Sequence, residues 1–164
     1  DDIVHVPMIV RWPGRTRAGS RTDAMTLNFL DLAATMNAHL DEKHAPPPDA
    51  RALQPLLGGD TPEGWRDAVT ATYNGQQFGL TTQRMLRTRN WKYVWNLTDV
   101  DELYDLENDP EELVNRIGDE ALTIHVAAMR QRLWAELERW GDGVTKSPWM
   151  RQQLLEGRKR CGRP

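Results

Sequence analysis

Gln76, Gln77 and Arg84 are the residues of this 164-residue chain whose types and spacing best suit chemistry. They lie in YNGQQFGLTTQR, residues 73–84, where Gly75 and Gly79 free the backbone. Two amides and a guanidinium are planar donors, and a guanidinium fork suits an oxyanion. The chemistry would be recognition of an anionic ligand. The same segment also reads as a glycine-rich hairpin loop.

A second set is acidic. Glu102, Asp105, Glu107 and Asp109 could ligate a metal or form an acid/base pair. Their spacing spreads them over both faces of a strand and a turn. Turn formation, capping and a helix dipole explain them as scaffold. His5, His39, His44 and His125 are scattered, with no pair at metal-ligand spacing. His5 has the best functional case, because strand ends in α/β sheets line active sites; a structural role is the expectation for it nonetheless. The one cysteine, Cys161, excludes an internal disulfide framework and a multi-cysteine zinc site. The seven tryptophans could stack on carbohydrate or fill a small core, and core filling is the expectation.

These residues need elements to position them. Ile3–Val10 is nearly continuous in apolar residues and reads as a strand buried on both faces, with Pro7 marking an edge or a bulge. TDAMTLNFLDLAATMNAHL reads as a helix with Leu27, Leu30, Ala34 and Met36 to Ala38 on its apolar face, capped by Asp23 or Thr26. The prolines of DEKHAPPPDAR break it, and ALQPLLGGDTPEGW continues irregularly. Four short runs follow: DAVTATYN, QRMLRT, NWKYVWN and DELYDL. They predict an antiparallel meander with one face packed and one wet, Trp91, Tyr93 and Trp95 sharing one face and Lys92, Val94 and Asn96 the other. DPEELVN predicts a helix start, with Asp109 as cap and Pro110 in the first turn. A longer helix from about Glu120 to Trp140 carries the stripe Leu122, Val126, Met129, Leu133, Leu137 and Trp140. Ser147 and Pro148 open a last short helix, and a basic tail closes the chain.

The totals suit a soluble globular protein: 39% hydrophobic and 27% charged residues, with a net charge of −3. That balance gives no general attraction to nucleic acid, and no apolar run approaches a membrane span.

Several segments, in order over about residues 3–116, together resemble the C-terminal portion of the sulfatase family, in the alkaline-phosphatase-like superfamily. HVPMIVRWPG is similar to that family's strand and turn, and LDLAAT to a helix in which Ala34 replaces the usual proline. DARALQPLLGG is similar to its loop, with Ala50 and Ala52 replacing Gly and Ser. RMLRTRNWKYVWN followed by ELYDLENDPEELVN is similar to its C-terminal signature. The resemblance implies an α+β fold. Residues 1–45 would end an α/β core domain, 46–65 would be a linker loop, and 66–157 a C-terminal subdomain. That subdomain would be a four-stranded antiparallel sheet packed by a long helix, with 158–164 a mobile basic tail.

The resemblance also implies that the full-length enzyme carries a calcium ion and a formylglycine made from Cys or Ser in a C/S-x-P-x-R motif. A catalytic lysine would lie upstream of the strand as well. None of these can be carried over onto this chain; Cys161, followed by Gly162, Arg163 and Pro164, does not fit the nucleophile motif. The expectation is therefore a part that completes the fold and walls the substrate cleft of a sulfate-ester hydrolase, without catalytic residues or cofactor of its own. Its partner would be the N-terminal catalytic part of the same protein. In the same way, Gln76, Gln77 and Arg84 could reach the cleft. Two alternatives stay open: the same role in a phosphodiesterase or phosphonate hydrolase, or a free-standing module that binds a glycan or a protein.

Overall fold

The computed structural model describes residues 4–40, 47, 49–75 and 81–158. His44, Gln76, Gln77 and the 159–164 tail, all named above, lie outside the described residues. The chain divides into two compact units, Asp2–Val69 and Thr70–Pro164.

The first unit holds helix α1, Asn28–Leu40, and the five-residue helix α2, Gln54–Gly58. The sequence reading has no helix at α2, since QPLLG is too short for any periodicity to show. Pro55 fits its first turn, and Gly59 at φ 97° ends it in the left-handed region that favours glycine. The predicted apolar face of α1 holds at Ala34, with Leu27 and Leu30 half-buried, and fails at Met36 and Ala38, which are exposed. Its buried residues are Asp31, Ala34 and Thr35, while Phe29, Leu32, Met36 and Leu40 stand exposed. The reason is polar. Asp31 Oδ1 accepts from the Arg51 amide and from Arg66 Nη2, each at 2.8 Å. Its Oδ2 accepts from the Leu27 amide at 2.7 Å and from Arg66 Nη1. Thr35 Oγ1 accepts from the Leu53 amide at 2.8 Å, and the Trp65 indole N–H donates to the Met25 carbonyl at 2.8 Å. The polar stripe of α1 therefore holds the chain from Asp49 to Arg66.

Residues 4–10, predicted as a strand, join no ladder among the described residues, and their apolar side chains are exposed. A strand of this kind needs neighbours on both sides, and the described residues supply none.

The meander is present. β1 is Ala68–Tyr73, β2 Gln83–Thr88, β3 Trp91–Asn96 and β4 Glu102–Asp105, in the sheet order β1-β2-β3-β4. The β2–β3 turn is tight because Thr88 Oγ1 both accepts from the Trp91 amide and donates to the Trp91 carbonyl. The register pairs Arg84 with Trp95, Leu86 with Tyr93 and Tyr93 with Leu103. Those residues share one face, because side chains alternate along a strand. Helix α3, Thr123–Trp140, packs on β2 and β3 and buries Val126, Met129, Leu133, Trp134 and Leu137. The predicted stripe thus holds through its middle, while Leu122 is half-buried and Trp140 exposed at the two ends. Gly141, at φ 69°, ends α3 with its N–H on the Glu138 and Leu137 carbonyls. Helix α4, Pro148–Glu156, packs on α3, capped by the Ser147 hydroxyl.

Two expectations about this unit change. The second face of the sheet is not simply wet: Met85, Val94 and Asn96 are buried there. Its polar groups pair with one another, Lys92 with Glu112 at 2.5 Å and Gln83 with Asn96 at 2.6 Å. And DPEELVN makes turns instead of a helix. Asp109 closes a turn instead of capping a helix, accepting from the Leu113 and Val114 amides at 3.1 and 2.9 Å. Glu112, at φ 56°, then stops helix growth. Its side chain pairs with Lys92.

Candidate functional site

Arg84 sits on β2 with 4% of its surface exposed. Its Nε donates to Asp142 Oδ2 at 2.8 Å and its Nη2 to Asp142 Oδ1 at 3.1 Å, a two-pronged pair. Its Nη1 donates to Asn74 Oδ1 at 2.9 Å, to the Gln83 carbonyl at 2.8 Å and to the Tyr73 carbonyl at 3.3 Å. Every guanidinium nitrogen is therefore engaged by this chain. Arg84 ties the end of β1 to the loop after α3. Asp142 belongs to that loop because it also caps the turn Gly143–Lys146, accepting from the Val144 amide at 2.9 Å. The sequence signal for Asp142 was local, an Asp between Gly141 and Gly143 after a helix. Its pairing with Arg84, 58 positions away, had none.

Burial alone would raise the Asp142 pKa; the Arg84 hydrogen bonds and the Val144 amide outweigh it and hold the carboxyl below its ordinary value of 3.8. A depressed folded value means that stability is present in full above the unfolded value and lost as pH falls through the folded one. Asp142→Asn is therefore expected to flatten the acid side of the stability curve below about pH 5. Urea midpoints measured from pH 7 down to pH 2 check this; parallel curves for the two proteins would refute it.

A second buried network joins β3, the loop before β4, and α3. Tyr93 Oη donates to Asp101 Oδ2 at 2.8 Å. Arg130 donates to Tyr93 Oη and to Asp101 Oδ2, each at 3.2 Å, and the Asn96 amide donates to Asp101 Oδ1 at 3.1 Å. Burial first, and Asp101 second, push the Tyr93 phenol well above its ordinary value, so it stays a donor.

The acidic set does not converge. Glu102 accepts from Asn96 and Tyr104, Glu107 from Asn90, and Asp105 from the amides of Glu107 and Asn108. His39 stands edge-on to Trp12 at 4.6 Å, and His125 lies against Trp91 at 4.4 Å. His5 is exposed. Among the described residues no three His, Cys, Asp or Glu side chains are grouped to hold a metal ion. Asp31, Asp101, Asp105 and Asp142 direct their carboxylates at protein donors. The calcium implied for a full-length enzyme therefore does not fit these residues.

A family model described as N-sulphoglucosamine sulphohydrolase, C-terminal, matches residues 1–139. The chain belongs to that sulfatase family. Within the family it is 29% identical, over 72% of its length, to an N-acetylglucosamine-6-O-sulfatase of Bacteroides thetaiotaomicron, of which it covers 22%. The solved structure of BT4656 in complex with its substrate D-glucosamine-2-N,6-O-disulfate superposes with a TM-score of 0.74 at 25% identity. That match covers 85% of this chain and 29% of the other. A phosphonate monoester hydrolase of Agrobacterium radiobacter superposes with a TM-score of 0.52 at 29% identity, covering 65% of this chain and 24% of that one. The sulfatase C-terminal chain spans 22 to 31% of the length of the curated relatives it matches. Its α+β fold, a four-stranded antiparallel sheet with helices, is that of the C-terminal domain in these sulfatases. No helix among the described residues is long and apolar enough to cross a membrane.

Proposed function

We propose that this chain is the C-terminal part of a sulfatase-like hydrolase of sulfate esters, completing the fold and walling the substrate cleft without supplying the reacting groups. The observation that carries this reading is the family match over residues 1–139, on a chain that spans less than a third of its relatives. In this reading the nucleophile, the calcium site and the catalytic lysine belong to the N-terminal catalytic part. The polar side chains of the C-terminal part are supports. Arg84 anchors Tyr73 and Asn74, at the entry to the segment that carries Gln76 and Gln77. Gln76, Gln77 and Arg84 are the residues we assign to substrate binding along the cleft wall.

The test is turnover of an aryl sulfate with calcium present. The purified chain is expected to show none. Calcium-dependent turnover that co-purifies with it would refute the division of labour.

A second reading has one observation in its favour, the superposition on the phosphonate monoester hydrolase. The whole protein assayed on an aryl sulfate and on an aryl phosphonate separates the two: preference for the phosphonate would move the assignment to that branch.

A further inference from the structure

Helix α4 buries an amide with nothing to bond. Gln153 is 1% exposed, yet neither its Oε1 nor its Nε2 has a hydrogen-bond partner among the described residues. Buried polar groups are ordinarily met by protein, water or a ligand, and an unmet one is destabilising. Gln153 lines a cavity of about 80 Å³ together with Trp149, Gln152 and Arg158. A single water needs only ~10–15 Å³, so the cavity admits the edge of a larger molecule.

The chain builds this place from neighbouring residues. Positions 149, 152 and 153 are three and four apart and share one face of α4. Gly157 ends the helix at φ 66°, in the left-handed region, and the turn brings Arg158 to the same cavity. A Cβ on residue 157 would also meet the Arg130 guanidinium at 2.5–2.7 Å, so the turn needs glycine for space as well as for φ. Around the cavity the chemistry is mixed. Trp149 is 40% exposed and offers an aromatic face. Gln152 Nε2 donates to Glu156 Oε2 at 3.3 Å, and Arg158 Nε pairs with the same oxygen at 3.1 Å. The Glu156 carboxylate thus balances the Arg158 charge. A bound anion would be opposed by that carboxylate, and a hydrocarbon would leave the Gln153 amide unmet.

We propose that this face of α4 binds a neutral sugar residue, with its C–H face on Trp149 and an edge of hydroxyls in the cavity. A hydroxyl both donates and accepts, so two of them can meet Gln153 Oε1 and Nε2 together. The Trp149 indole supplies a large rigid surface that loses little conformational entropy on binding. A few convergent polar groups beside an apolar surface are what fix a small ligand's orientation. The inference goes beyond the sulfatase reading and does not rest on it, since every residue it uses is local to α4.

Cellobiose is the probe, titrated into the 164-residue chain and followed by nuclear magnetic resonance. The Trp149 indole N–H and the Gln153 side-chain amide should shift and saturate in the millimolar range, as so few contacts allow. Trp149→Ala should weaken binding roughly tenfold or more. Gln153→Met is the deciding variant. It keeps the length of the side chain and removes its unmet polar atoms, so the urea midpoint should hold or rise while cellobiose binding is lost. A glutamine that serves only the packing of α4 would not lose the sugar. Signals of Trp149 and Gln153 that stay still, that never saturate, or whose Trp149 shift persists in Gln153→Met would overturn the proposal. A lower midpoint in Gln153→Met would overturn it too, because the amide would then be satisfied within the chain. Shifts with sodium sulfate and none with cellobiose would make this an anion site. Shifts that grow with chain concentration alone would make a second copy the occupant, and either result refutes the sugar.

Discussion

Asp31→Ala is expected to destabilise the Asp2–Val69 unit by about 3–5 kcal/mol, the usual effect of removing one partner of a buried ion pair. Asp31 is fully buried, and the side chain of Arg66 is 8% exposed. Without the carboxylate, the Arg66 guanidinium keeps the Met25 and Asp49 carbonyls as acceptors and the Trp65 ring, all uncharged. The amides of Leu27 and Arg51 lose their acceptor altogether. Leaving buried donors unpaired costs about 1–3 kcal/mol each, so most of the effect comes from the groups left behind. Arg66→Met in the same background should recover part of the loss, because it removes the stranded charge. The measurement is hydrogen exchange at the Leu53 amide, whose acceptor Thr35 stands one turn along α1 from Asp31. Unchanged protection in Asp31→Ala would show that apolar packing, not this carboxylate, holds residues 49–66 to the helix.

The same residue shows where sequence reasoning stops. Counting apolar positions in NFLDLAATMNAHL finds the helix but points its hydrocarbon inward. The orientation is decided by Asp31 and Thr35, whose partners Arg66 and Leu53 lie 35 and 18 positions away. Periodicity carries no information about such pairs. The meander was legible because side chains alternate in type along each run: Trp91, Tyr93 and Trp95 do share a face, and the register places Tyr93 between Leu86 and Leu103, Trp95 opposite Arg84 and Trp91 opposite Asp105. The turn after Asp109 was half legible. Asp109 binds amides of the segment as a turn residue does, but no helix follows for it to cap, and Glu112 took a positive φ that a glutamate seldom adopts. For the candidate site, Arg84 stood out by type, while its companions Asp142 and Asn74 did not. Asp and Asn beside glycine read as turn residues, and Asp142 also serves as one here.

Leu133→Ala is expected to cost about 2–5 kcal/mol, the range for deleting a fully buried leucine and leaving a cavity. Leu133 has no exposed surface and lies mid-way along α3, between Met129 and Leu137 on the buried stripe. Its helix packs against β2 and β3, where Leu86, Tyr93 and Trp95 are also fully buried. Large rings on the sheet side collapse poorly into a vacated space, because Tyr93 is fixed through its hydroxyl to Asp101 and Arg130. That places the expected loss toward the upper half of the range. Ala127 and Ala128, on the exposed side of the same helix, give the control. Either one changed to Ser should move stability by no more than about 0.5 kcal/mol, as surface substitutions usually do. Urea unfolding followed by the tryptophan fluorescence of Trp95 and Trp134 reports on this core. An unchanged midpoint in Leu133→Ala would mean that the α3 stripe does not carry the stability of the Thr70–Pro164 unit. A fall in the alanine-to-serine controls as large as that in Leu133→Ala would point to helix propensity instead of packing.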